Sequence, residues 1–145
     1  RRLWQFASKD VAKITVAIGD KVATLERNNT GQWTQPGRQL SAKETGEINV
    51  ALNQLGQFQA ANWTARGDDK RGVYGILEEK KTLTLQLRRD GKTIERKLEF
   101  GRRSPRRSPY AMATDPLKQE PVVFEFPVEV YEDAVFDLFK LTQTR

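Results

Sequence analysis

The chain contains no cysteine and no histidine. Those absences exclude zinc sites of the usual Cys/His kind, cysteine nucleophiles and Ser-His-Asp triads. They leave the redox compartment open, because a chain without thiols suits either side of a membrane. Long apolar runs are also missing. None approaches the ~20 residues that a helix needs to cross a bilayer. No signal-peptide pattern and no initiating Met is present, and Arg1-Arg2-Leu3-Trp4 already reads as the start of a strand. The expectation is a fragment of a longer protein, with any targeting segment upstream.

What is present is an ordinary globular mixture: 145 residues, 37% hydrophobic and 30% charged. That length suits one domain over 1–145, or two ββα-like halves, 1–66 and 67–145, sharing a core. The net charge of +6 permits an anionic partner but speaks mainly of solubility.

Alternation over 14–18 and 22–25, broken by Gly19-Asp20, predicts a hairpin with a type II′ turn, in which Val16 faces Ala23 and Ile14 faces Leu25. Asn28-Asn29-Thr30-Gly31 reads as the next turn, leading to Trp33 on a short strand that stops before Pro36. Ser41 and Glu44 form a capping box. Ile48, Ala51, Leu52, Leu55 and Phe58 then recur at helical spacing, predicting an amphipathic helix over about 42–58 that Gly46 and Gly56 weaken. Residues 82–88 and 92–100, joined by Asp90-Gly91, predict a second hairpin with Leu83, Leu85 and Leu87 opposite Leu98, Arg96 and Ile94. One face of it is then buried and one wet, with Arg96 the misfit on the buried side. Residues 110–113 and 122–130 read as further strands, Pro127 marking an edge or bulge. A short helix over about 132–140 is expected to bury Val135, Phe136 and Phe139. The fold class expected is α+β: antiparallel β-hairpins packed against one long and one short α-helix.

The most prominent local feature is "FGRRSPRRSPY", 100–110, with Arg102, Arg103, Arg106 and Arg107 in two adjacent Arg-Arg-Ser-Pro copies. Four guanidiniums within six residues suit phosphates, and Arg88, Arg89 and Lys92 near a hairpin tip would assist. No aromatic residue interleaves them before Tyr110, so the stacking platform of a single-strand binder is lacking. The competing and preferred reading is a solvated connection whose charges and prolines keep sheet edges from pairing. Arg66-Gly67-Asp68 matches an adhesion tripeptide at a length that chance supplies often. The acidic pairs Asp68-Asp69, Glu78-Glu79 and Glu132-Asp133 lack calcium-loop spacing and read as surface carboxylates, the last pair serving a helix N-terminus. Trp4, Trp33 and Trp63 are expected to pack between elements.

The order of the local words is itself informative. "DVAKITV" (10–16) leads to "GQW" (31–33), a capped helix, "VYGI" (73–76), "TLTLQL" (82–87), "LEFG" (98–101), "YAM" (110–112) and "VVFEF" (122–126). Over nearly its whole length the chain resembles the bacterial domain-of-unknown-function family numbered 4340. It departs from that pattern after Ile76, where Leu77-Glu78-Glu79 stands in place of the family's Asp and Pro. The resemblance implies a domain held outside the cytoplasm by an upstream membrane helix, in some members similar to auxiliary subunits of gliding-motility-type ABC transporters. It carries over no catalytic residue. In a bacterial protein the sequons at Asn28 and Asn62 read as unused. The expected function is a non-catalytic, extracytoplasmic protein-interaction or scaffolding module of a membrane-anchored accessory protein, with no cofactor. Its partner would be a protein rather than nucleic acid, with membrane contact only through a segment outside this chain. The alternative is anion or nucleic-acid binding through the loop 102–107.

Overall fold

The computed structural model describes residues 3–28, 30–115 and 118–143, and their side chains apart from those of Ala61, Asp68 and Gln143. Arg1, Arg2 and Asn29 therefore lie outside the described residues.

Eight antiparallel strands form one sheet: β1 (Val11–Ile18), β2 (Lys21–Arg27), β3 (Trp33–Thr34), β4 (Ala61–Arg66), β5 (Lys81–Arg89), β6 (Lys92–Arg103), β7 (Pro109–Thr114) and β8 (Pro121–Glu125). Their spatial order is β3-β2-β1-β5-β6-β7-β8-β4. Strands from 1–66 and from 67–145 thus share one ladder, β1 joining β5 and β4 joining β8. The fold is α+β.

Both expected hairpins have the expected register. Ile14 pairs with Leu25 and Val16 with Ala23 across a turn whose first residue, Gly19, takes φ +62°. Leu83, Leu85 and Leu87 pair with Leu98, Arg96 and Ile94. Asp90 and Gly91 sit at φ +51° and +75°, the two left-handed positions of a type I′ turn. At Asn28 the side-chain Oδ1 accepts the Thr30 and Gln32 N–H groups and the Thr30 hydroxyl, which closes the second turn and directs the chain into β3.

Helix α1 (Ala42–Leu55) starts on the reciprocal Ser41–Glu44 cap. Its stripe of Ile48, Ala51, Leu52 and Leu55 is buried against the inner face of the sheet. It ends sooner than periodicity suggests. Gly56 is its C-cap and Phe58 packs from beyond it, beside Trp4, Phe124 and Phe126. Gly56 does more than weaken a helix: a Cβ there would lie 1.9 Å from the Phe6 carbonyl oxygen. Leu3 and Trp4 are buried but belong to no strand, contrary to their strand-like pattern.

The C-terminal expectations need three corrections. Strand β8 stops at Glu125, and Pro127 caps a helix instead of marking a bulge. That helix runs as α2 (Ile76–Glu79) does not, through three joined pieces: α3 (Val128–Val130), a π-helical turn (Tyr131–Val135) and α4 (Phe136–Phe139). Glu132 and Asp133 therefore lie within the helix, away from its N-terminus. Val135 and Phe139 are buried, whereas Phe136 is 39% exposed.

The inner face carries one continuous core. The outer face is open over β1, β5 and the first part of β6, as expected. Over β6, β7 and β8 it is covered by a second cluster of Ile76, Met112 and Val123, flanked by Ala65, Tyr74 and Tyr110. Edge strand β4 and this outer cluster were not foreseen.

Candidate functional site

The arginine segment is a hairpin, formed by the end of β6, a tight turn and the start of β7. Between the pairs Phe100↔Ala111 and Arg103↔Pro109, β6 has two residues, Gly101 and Arg102, where β7 has one, Tyr110. This bulge bends the strand and re-aims Arg102. Its guanidinium lies 5.8 Å from the Tyr110 ring and donates to the Val73 carbonyl. Arg103 takes the opposite face, 5.3 Å from the Tyr131 ring and 3.9 Å from the Glu132 carboxylate, and donates to the Arg107 carbonyl. Arg106 faces Glu125 at 3.3 Å. The Glu125 side chain is only 7% exposed and also accepts the buried Ser104 hydroxyl at 2.7 Å. Arg107, at φ +72°, makes no side-chain contact of this kind among the described residues.

Three of the four guanidiniums are thus engaged within the protein, on two faces of the sheet. All four arginines are exposed, in keeping with a solvated connection, and Ser104, Arg106 and Glu125 add a partly buried polar lock to it. Arg88 and Arg89 end β5 and Lys92 opens β6, ~35 Å from Arg103 along β6 at about 3.3 Å per residue, so they share no site with Arg102–Arg107. There Arg89 donates to the Gln5 carbonyl and faces Asp10 at 3.7 Å. Arg96, on the buried side opposite Leu85, keeps its head at the rim and donates to the Glu95 carbonyl. Burial, and then the charge of Arg89, hold its pKa below the usual arginine value.

The outer cap is built on the same bulge. The Arg102 N–H donates to the Tyr74 carbonyl at 3.0 Å. A Cβ on Gly101 would lie 2.1 Å from that carbonyl oxygen, so only glycine permits the approach. Gly75 turns the chain at φ +78°, and Ile76 enters the cluster with Met112 and Val123. Tyr74 and Tyr110 meet edge to face at 4.8 Å. Arg71 grips Glu99 with two hydrogen bonds, 2.9 and 2.8 Å, which hold the Glu99 carboxyl below the usual carboxylate range against the opposing effect of burial. The words "VYGI", "LEFG", "YAM" and "VVFEF" all contribute to this one spot. Around it Val73 and Leu77 are 57% and 59% exposed.

Other sequence candidates disperse. Arg66 pairs with Asp115 and Glu120 at 3.2 and 2.8 Å, so the adhesion-like tripeptide has its cation bound internally. The Asp68 side chain lies outside the description. Glu78 and Glu79 are exposed on α2. Among the described residues no group of three or more His, Cys, Asp or Glu is placed to hold a metal ion, and no helix is long and apolar enough to cross a membrane. Trp4 and Trp33 are buried, and Trp63 packs on Phe124 at 5.7 Å.

No family model, no curated protein and no solved structure matches the chain.

Proposed function

We propose that this chain is a non-catalytic protein-interaction module. In this reading it is a scaffolding segment of a membrane-anchored accessory protein, working outside the cytoplasm beside an ABC-type transporter. The contact surface is the outer cap: Val73, Tyr74, Leu77, Arg102 and Tyr110. One observation carries the proposal. Two large apolar side chains stand more than half exposed beside a tyrosine pair and an arginine, on a segment whose backbone is locked to the sheet. Tyrosine and arginine are enriched at protein interfaces, and a pre-ordered surface loses little entropy on binding. The extracytoplasmic and transporter-linked parts of the proposal rest on the family resemblance. Catalysis by a histidine or cysteine is closed to a chain that has neither.

The alternative, anion or nucleic-acid binding through Arg102–Arg107, is weaker. Its guanidiniums diverge, and the nearby rings are already covered by Arg102 and Arg103. A photo-crosslinking side chain at Leu77 in the membrane-anchored full-length protein tests the proposal. The expected product is a covalent adduct with a membrane-transport protein, absent when the probe stands at Val22, which is equally exposed at 61% but remote from the cap. Equal adducts from both positions, or none from Leu77, would overturn it.

A further inference from the structure

Strand β1 has its own bulge at the opposite end of the molecule. Val11 pairs with Leu87 and Lys13 with Gln86, which leaves Ala12 as an extra residue. Beside it lies a concavity of about 480 Å³ whose lining includes Lys9, Asp10, Lys13, Glu26, Arg27, Asn28 and Arg88. We infer that this concavity binds the phosphoryl group of a small anionic ligand, held by Lys9, Lys13 and Arg88.

The lining is rich in donors and its acceptors are already engaged. Asp10 accepts the Ala7 N–H at 3.0 Å and faces Arg89 at 3.7 Å. Glu26 faces Lys13 at 3.8 Å. The Asn28 Oδ1 is taken by three hydrogen bonds from its own turn, so its Nδ2 remains a donor. Arg27 stacks 4.2 Å from the Trp33 ring and donates to the carbonyls of Val11, Gly31 and Ser8, so its guanidinium is fixed in place by the protein. Lys9 and Arg88 are exposed, and among the described residues their side chains have no ion pair or hydrogen bond. This contrasts with Arg102, Arg103 and Arg106, whose charges have internal partners. A phosphoryl oxygen cluster fits the set, with a planar guanidinium fork for two oxygens and ammonium point charges for the remainder. With Lys9, Lys13, Arg27 and Arg88 against Asp10 and Glu26, the lining has an excess of positive charge, which favours an anion.

The site lies at the far end of the sheet from the docking cap and does not depend on it. The test uses the intact chain at an ionic strength of about 0.15 M, where weak surface electrostatics are screened. Inorganic pyrophosphate is titrated while backbone amide resonances are followed, and vesicles containing phosphatidylglycerol are used in a parallel sedimentation arm. Saturable shifts confined to residues 9–13, 26–28 and 86–88 are expected. Arg88→Gln should weaken the affinity about tenfold, Lys9→Gln several-fold, and Arg107→Gln not at all. Pyrophosphate binding with that pattern supports a free phosphorylated ligand. Vesicle binding alone, lost in Arg88→Gln, supports a lipid headgroup in the same site. Binding to neither probe, or equal losses in Arg88→Gln and Arg107→Gln, would overturn the inference.

Discussion

At its Arg103 end, β6 is covered on both faces, by the inner core and by the Tyr74–Ile76 cap. At its Lys92 end the outer face lies open beside the β1 bulge. Both ends are arginine-rich in sequence. At the covered end Arg102, Arg103 and Arg106 have aromatic, carbonyl and carboxylate partners within the protein. At the open end the side chains of Arg88 and Lys9 have none among the described residues. A count of cations in a sequence therefore does not measure the charge a surface can offer. What matters is whether the fold supplies a counterpart within reach.

The sharpest way to test the covered end is Gly101→Ala. The new Cβ would lie 2.1 Å from the Tyr74 carbonyl oxygen, so the cap must lift or the strand must shift. Such overpacking costs ~1–3 kcal/mol, measurable by denaturant unfolding, and the Tyr74–Tyr110 contact should loosen with loss of near-ultraviolet dichroism. Unchanged stability would show that the cap is not seated on the bulge.

At the open end the corresponding change is Gly91→Val. No neighbour lies within 4 Å of a Cβ there, so the cost comes only from φ +75°. A β-branched residue in that region costs about 1–2 kcal/mol, and the denaturation midpoint should fall accordingly. A loss well above that range, or loss of tertiary contacts away from the turn, would show that Gly91 is held by contact as well as by backbone strain.

The smallest effect separates two adjacent arginines. Arg106→Gln leaves the buried Glu125 carboxylate with Ser104 as its remaining side-chain partner, and should cost ~1 kcal/mol, because Arg106 itself is largely exposed and solvent screens the pair. Arg107→Gln should stay within about 0.5 kcal/mol, as is usual for a surface substitution. If the two unfold alike, the polar lock contributes nothing and the segment is a solvated connection after all.

Much of the fold could be read from local pattern. The Gly19-Asp20 and Asp90-Gly91 turns, with their alternating flanks, specify two hairpins to the residue. Ser41, Glu44 and the Ile48–Leu55 stripe specify the helix. Errors cluster where a local reading met a distant contact. Residues 126–130 look like continued strand, but the Phe126 N–H turns to the Pro109 carbonyl and Pro127 opens a helix. The Arg-Arg-Ser-Pro repeat looks like a uniform basic patch, yet its four side chains have four different surroundings. Strand β4 was missed because it is short and irregular. Its pairing shifts between Ala61 and Ala65, and its partner β8 lies some sixty positions further along the chain.

The sequence by itself determined the hairpins, the capped helix, the α+β class and the exclusion of cysteine and histidine chemistry. The elements follow from residues within a few positions of one another, through turn dihedrals, the two-residue period of a strand and the turn of a helix, and the exclusion follows from composition. The tertiary structure alone decided that Arg71 would grip Glu99, that Ser104 and Arg106 would meet Glu125, and that Arg66 would close on Asp115. It also decided which cations were left unpaired. The partners in those contacts are 19 to 49 residues apart. Such pairings depend on how the sheet is ordered and bent in space, which no local periodicity encodes.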